Sequence, residues 1–350
     1  MALPSSSAEV TVPSSAPARC GHDAGPFGAY LRRVAPQINE RIALHLASFG
    51  QIGGVEPDVG TMLLGGKRLR GAFAMLAFDI LSTDTGMREV ALDLASAVEV
   101  AHSASLILDD ILDGDESRRG SPALHVTNGE KRALLKMVGV VSLPYAIASR
   151  RGTAYVGLLA ETHRRMVNGV LSEASPPVIP PRKLYERIIT LKTGELFGLA
   201  ARFGGMAAGA DPGIVEDLAR YGLWTGKAMQ IADDTVDLRR ALTGRTKVLV
   251  GSEMILLRCL LRPEGGHSDE GMFESSLRSL QDGDITDAGR GHLEVRLKNR
   301  LEEEIEAAAS MAMALREKMR SSGSMVPSLG DGPDPLSAAP GEIARMTLGQ

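Results

Sequence analysis

Residues 106–120 read LILDDILDGDESRRG, an apolar run that breaks into three aspartates and then a pair of arginines. On a helix Asp109 and Asp113 lie one turn apart on the same face, with Asp110 beside them. Like carboxylates at that spacing repel unless a cation bridges them. Oxygen donors without His or Cys suit a hard cation such as magnesium, which is usually held by one or two carboxylates together with substrate phosphates. Residues 230–240, QIADDTVDLRR, repeat the pattern with Asp233, Asp234 and Asp237. A single cluster would equally suit a solvated acidic helix end. Two clusters that converge would bring six carboxylates to one cavity mouth, and that calls for several divalent cations and a polyanionic ligand.

Working outward, both clusters close strongly apolar segments, Val90 to Leu112 and Leu218 to Leu238, which read as central buried helices. Val34, Ile38, Ile42 and Leu46 fall four apart, and Leu301, Ile305 and Leu315 line a charged final helix. Strand alternation is almost absent. The expected fold is all-α, a single bundle of roughly ten or more helices around a central cavity. Residues 1–26 and 321–350 are rich in Ser, Pro, Ala and Gly and read as flexible tails around a helical domain at 27–320.

The 350 residues are 44% apolar, enough for one large core, and the formal charge of -4 argues against nucleic acid as a partner. Cys20 and Cys259 are too few for a disulfide framework, which fits a cytoplasmic setting. No uninterrupted apolar run approaches the roughly 18 residues of a membrane span.

Basic residues supply the other half of a polyanion site: GGKRLR at 65–70, Arg118 and Arg119, and Lys192 followed by Thr193 in LKTGELF. Arginine forks and lysine ammonium groups match phosphate oxygens, and glycines allow close backbone approach. The order GGKRLR, Glu99 and His102 in ExxH, DDxxD, RRG, SPxxH ending at His125, KTG and QxxDDxxD resembles the trans-type isoprenyl diphosphate synthases, from about Phe27 to about Met319.

That resemblance implies the isoprenoid synthase fold and a prenyltransferase that condenses an allylic diphosphate with isopentenyl diphosphate, giving a longer trans-prenyl diphosphate and pyrophosphate. It implies two or three magnesium ions held by Asp109, Asp113, Asp233 and Asp237, with Asp110 and Asp234 in support. Arg118, Lys192 and Gln230 would hold the allylic diphosphate. Gly66, Lys67, Arg70, His102 and Arg119 would hold isopentenyl diphosphate, and Thr193 would face the allylic cation. A homodimer is implied as well.

The chain departs from the resembled pattern in several places. The usual glycine- and lysine-rich loop is replaced by LRRALTGRTKVLVGSEMILL, in which Lys247 is at a plausible spacing to replace one lysine and Arg245 competes for that role. Gly169, Val170 and Glu173 keep a carboxylate but lose an amide, Lys131 and Lys136 stand in a helix that usually carries Gly-Asp, and Arg70 is followed by Gly71 rather than proline. By resemblance, small residues at Ala101, Ala104 and Ser105, with Met229, imply a tail cavity for products of C20 or longer. The alternative is a terpene cyclase on the same fold, which would need no isopentenyl diphosphate.

Overall fold

The helix that carries the first acidic cluster is delimited by local chemistry at both ends. In the computed structural model α4 runs Thr85–Asp113; the Asp84 carboxylate accepts the Met87 N–H at 2.9 Å, and Gly114 stops the helix in the left-handed conformation at φ 65°. The structure describes residues 25–50, 56–174, 179–242, 252–261, 287–326 and 334–349. Within them α1 (Pro26–Gly50), α2 (Pro57–Leu64) and α3 (Leu69–Asp79) precede α4. After it come α5 (Leu124–Asn128), α6 (Glu130–Ser149), α7 (Thr153–Ala174), α8 (Pro181–Ile189) and α9 (Glu195–Ala207). The chain continues through α10 (Pro212–Leu242), α11 (Ser252–Leu261), α12 (Asp287–Ser321) and α13 (Pro335–Leu348). The described strands are two residues each, β1 (Ser117–Arg118) and β2 (Ser121–Pro122), antiparallel with Arg118 opposite Ser121.

Helix α9 is the axis of the bundle, packed by α3, α4 and α10. Leu196, Phe197, Leu199, Ala200, Ala201, Phe203 and Ala207 cover most of its faces and all are buried, the signature of a helix surrounded by protein. Val34, Ile38 and Ile42 of α1 are fully buried at their four-residue spacing. α4 and α6 are both long and apolar enough to cross a membrane by length and composition. In α4 that apolar stretch is the core itself, 78% buried, whereas that of α6 is 28% buried.

Helix α10 meets α9 and the residue just before it through two interlocked glycine pairs, Gly194 and Gly198 against Gly222 and Gly226. A Cβ at Gly226 would stand 2.8 Å from the Gly194 Cα, and one at Gly222 would collide with the Phe197 carbonyl oxygen. Small residues four apart let two helix backbones touch. Gly222→Ala should therefore destabilise by about 1–3 kcal/mol through overpacking, although alanine in an open helix would stabilise by about 1 kcal/mol. The sign of the shift in a urea midpoint decides between them.

The C-terminal segment departs from the flexible tail expected from residue 321. Asp334 caps α13 through the N–H of Leu336 at 2.9 Å, Pro335 occupies its first turn, and Leu336, Ala339, Ile343 and Ala344 are buried. Glu342 accepts the Gly28 N–H at 2.7 Å, fastening α13 to the start of α1. A capping Asp-Pro pair inside a Gly- and Pro-rich stretch is the local reason. The tail expected at 1–26 lies, save its last two residues, outside the described residues.

Candidate active site

The first acidic cluster occupies the last turn of α4, where the helix macrodipole is negative and carboxylates are disfavoured, and the second lies toward the C-terminal end of α10, before it closes at Leu242. They face one cavity of about 580 Å³. Asp109, Asp113, Asp233, Asp234 and Asp237 line its mouth with Arg70, His102, Arg118, Arg119, Lys192, Thr193 and Gln230. Ala101, Ala104, Ser105 and Met229 line it further in.

Burial, reinforced by Asp113 and Glu173 and opposed by Lys192, pushes the Asp109 carboxyl up to about 6. Burial and Asp237 likewise raise Asp233. The carboxylates are thus held where their charge is under-compensated, which suits a cation. Among the described residues no three such groups converge on one point. Each cluster offers a pair of hard oxygen donors, the set that suits magnesium completed by phosphate oxygens.

The middle aspartates do different work. Asp110 does not line the cavity; its Oδ1 accepts Arg118 Nε at 2.6 Å. Arg118 is aimed there by the β1–β2 turn, whose central residues Arg119 and Gly120 both have positive φ, 54° and 78°. Asp234 accepts the Tyr185 hydroxyl at 2.6 Å, Gln230 Nε2 at 2.9 Å and the Ser252 hydroxyl at 2.8 Å. Burial nevertheless pushes Asp234 up to about 7.

Between α8 and α9 the helix widens into one π turn, Thr190–Gly194, over the residues TLKTG. Such turns recur at functional sites because they displace side chains from the regular register. Here the turn presents Lys192 and buried Thr193. Lys192 Nζ donates to Glu173 Oε2 at 2.7 Å; burial pulls its pKa down, but Glu173 and Asp109 outweigh that and hold it raised. The other Glu173 oxygen accepts the Ser252 N–H at 2.6 Å, tying the start of α11 to the same corner. Thr193 donates its hydroxyl hydrogen to Gln230 Oε1, which leaves its oxygen lone pairs available to the cavity.

Across the mouth the Arg119 guanidinium packs on the Gly65–Gly66 backbone, where a Cβ on Gly66 would fall 2.9 Å from Arg119 Nη2. Arg70 is buried over the Phe197 ring at 4.9 Å, and its Nε has no hydrogen-bond partner. Burial, partly offset by Glu99, pulls its pKa down to about 10. Burial and the neighbouring Arg70 and Arg119 hold His102 well below its ordinary value, so its imidazole is neutral. Glu99 accepts the Gly71 N–H at 2.7 Å, a bond that proline at that position could not make.

Some residues singled out from the sequence are not brought into this wall. Gly66 and Lys67 do not line the cavity, and Lys67 Nζ donates to the Met346 carbonyl of α13 at 2.6 Å. Lys247 and Arg245 lie outside the described residues. Tyr185 and Ser252 hold Asp234 but carry no local sequence signal, whereas Glu173 was marked by the carboxylate retained four residues after Gly169.

Residues 58–249, more than half the chain, match the polyprenyl synthetase family. The chain belongs to that family. This polyprenyl synthetase family member is 34% identical over 177 residues to the nonaprenyl diphosphate synthase of Mycobacterium tuberculosis, a match covering 50% of this chain and 52% of that protein. The matched segment thus spans about half the length of that curated relative. A polyprenyl synthase from Caulobacter crescentus, solved with calcium and isoprenyl diphosphate, superposes with a TM-score of 0.66 at 22% identity, covering 94% of this chain and 99% of that one. A geranylgeranyl pyrophosphate synthase from Corynebacterium glutamicum, solved with isoprenyl diphosphate and magnesium, gives 0.64 at 18% identity, covering 92% and 99%. These likenesses establish the all-α isoprenoid synthase fold.

Proposed function

We propose that this protein is a magnesium-dependent trans-prenyltransferase that joins an allylic diphosphate to isopentenyl diphosphate, releasing pyrophosphate and a prenyl diphosphate of C20 or longer. One observation carries the reading: paired carboxylates and two separate groups of cations share the mouth of a cavity whose interior is mostly apolar. One cationic group, Arg118 and Lys192 with Gln230, suits the allylic diphosphate. The other, Arg70 and Arg119 with His102, suits isopentenyl diphosphate, and Lys67 joins it once released from Met346.

Two or three magnesium ions on Asp109, Asp113, Asp233 and Asp237 would neutralise charge building on the departing diphosphate. Arg118 and Lys192 stabilise the same charge through preorganised donors. The carbon–oxygen bond breaks and its electron pair leaves with pyrophosphate. The Thr193 oxygen, its hydrogen directed to Gln230, turns lone pairs toward the allylic cation. Leu108, Met137, Val141 and Met166 exclude water that would quench the cation. The isopentenyl double bond attacks, and the proton lost from the new chain passes to pyrophosphate.

The reading extends to a cytoplasmic homodimer. It is supported by the outer face of α6, where Leu135 and Val138 are 72% and 62% exposed at helical spacing. Incubation with magnesium and C5, C10, C15 or C20 allylic diphosphate, with and without isopentenyl diphosphate, tests the reaction by mass spectrometry. Longer diphosphates are expected only when isopentenyl diphosphate is present. Hydrocarbons or alcohols formed without it would instead identify a cyclase.

A further inference from the structure

The small α4 residues upstream of the first acidic cluster cannot themselves close the cavity, because Ala101, Ala104 and Ser105 project little beyond the helix backbone. The end of the cavity is made elsewhere. On α6 its wall is a single stripe, Met137, Val141 and Tyr145, four residues apart. On α7 it runs from Glu173 at the mouth down through Val170 and Met166 to His163. Glu173 is fixed at the mouth by its bond to Lys192. At 1.5 Å per residue, His163 lies about 15 Å below it along the helix axis. Tyr145 is at the same depth, since its hydroxyl and His163 Nδ1 are 2.6 Å apart. The two rings meet edge to face at 5.3 Å.

Among the described residues, the next positions below this pair on α4, α6 and α7 do not belong to the cavity wall. Leu159, one turn deeper on α7, Ala148 beyond Tyr145 on α6, and Ala97 below Ala101 on α4 are all fully buried in packed protein. The pair also presents the only His and Tyr of the inner wall among the described residues, where Ser105 turns its hydroxyl back to the His102 carbonyl, and the two polar atoms satisfy each other rather than reaching for solvent or a ligand. A hydrogen bond between facing helices fixes both rings, so the floor is rigid where an aliphatic side chain would yield.

We propose that the Tyr145–His163 pair is the floor of the tail cavity and sets the longest prenyl chain this protein accepts. This rests on the reading above that the cavity receives a prenyl tail. It moves the limit on length from α4 to the α6–α7 pair and makes Tyr145 and His163 specificity-determining residues.

The test is magnesium-dependent binding of a ladder of prenyl diphosphates, C10 to C30, to the full chain by titration calorimetry. Wild type should show a length above which affinity drops. In Tyr145→Ala and His163→Ala that limit should move outward by at least one C5 unit, the first excluded tail gaining about tenfold or more in affinity, since five buried carbons are worth more than that. Tyr145→Phe, which keeps the ring but loses the bond to His163, should move the limit less than either alanine variant. Val141→Phe, one turn nearer the mouth, should shorten it, and serves if the alanine variants do not fold. An unchanged limit in the folded alanine variants, or in Val141→Phe, overturns the proposal. If the limit moves while wild type never consumes isopentenyl diphosphate, the proposed reaction falls and the floor stands. Failure to bind any prenyl diphosphate overturns both.

Discussion

Asp109→Asn should lower the rate of allylic diphosphate ionisation by about 10³-fold while making the ligand-free protein more stable at neutral pH. In the proposed reaction the loss follows from removing a hard oxygen donor at the point where leaving-group charge would be neutralised. The gain follows from the environment of Asp109. Its folded carboxyl titrates near 6, above its ordinary 3.8, because burial and the charges of Asp113 and Glu173 disfavour ionisation. The native state therefore keeps this proton to higher pH than the unfolded chain does. Stability drains away as pH rises from about 4 to about 6, and the full penalty is present at pH 7. Asparagine removes the titration, so the variant should gain up to about 3 kcal/mol relative to wild type between those limits, less where solvent screens the pair. Urea denaturation at pH 4 and pH 7 reads the difference. A gap of equal size at both would refute the electrostatic account, and undiminished turnover would refute the metal assignment.

Such a cluster is legible in sequence because its logic is local. The i, i+4 spacing fixes Asp109 over Asp113 and Asp233 over Asp237 whatever the rest of the chain does. The same geometry, 3.6 residues per turn, rotates the intervening Asp110 and Asp234 by about 100° from their neighbours. Their engagement with Arg118 and with Tyr185 and Ser252 is consistent with that rotation, but the partners come from a turn and two other helices. The helices themselves were readable, α1 from apolar periodicity and α4 and α10 from long, strongly apolar segments. The glycine seam that brings Thr193 to Gln230 was not, since Gly222 and Gly226 acquire meaning only against Gly194 and Gly198.

Composition misled at the C-terminus. A Gly-, Pro- and Ser-rich stretch usually means a tail, yet Asp334 and Pro335 are also a helix start, and only burial of Leu336 and Ile343 decides between the two. The consequence reaches the site, because α13 supplies the carbonyl that holds Lys67, 279 positions apart in sequence. The π turn at Thr190–Gly194 was equally hidden: KTG marks the place, but no residue type in TLKTG announces the extra backbone width. The α4 residues Ala101, Ala104 and Ser105 do line the cavity, but its depth depends on Tyr145 and His163, and no spacing rule connects those helices.

Arg70→Met should raise the KM for isopentenyl diphosphate by about 10²–10³-fold while leaving ionisation of the allylic partner largely intact. Arg70 is an expensive residue in the ligand-free protein. Its guanidinium is buried, its Nε lacks a hydrogen-bond partner, and burial draws its pKa down to about 10 from 12.5. At neutral pH it is charged in both folded and unfolded chains, so the native state bears the whole desolvation cost, of order 1–3 kcal/mol, relieved only above pH 10. A protein retains such a group where a second ion completes it. A diphosphate oxygen would satisfy the free donor, and removing one partner of a desolvated charge pair costs about 2–5 kcal/mol of binding. Methionine keeps the contact with Phe197 and drops the charge, so the variant should be at least as stable as wild type without ligand but weaker in binding. Arg70→Lys restores charge without the fork and should fall between them. Steady-state kinetics with isopentenyl diphosphate varied, set beside pyrophosphate release from the allylic substrate alone, separates the two effects. Equal losses in both would place Arg70 in the scaffold, whereas a loss confined to isopentenyl diphosphate assigns its buried charge to that substrate.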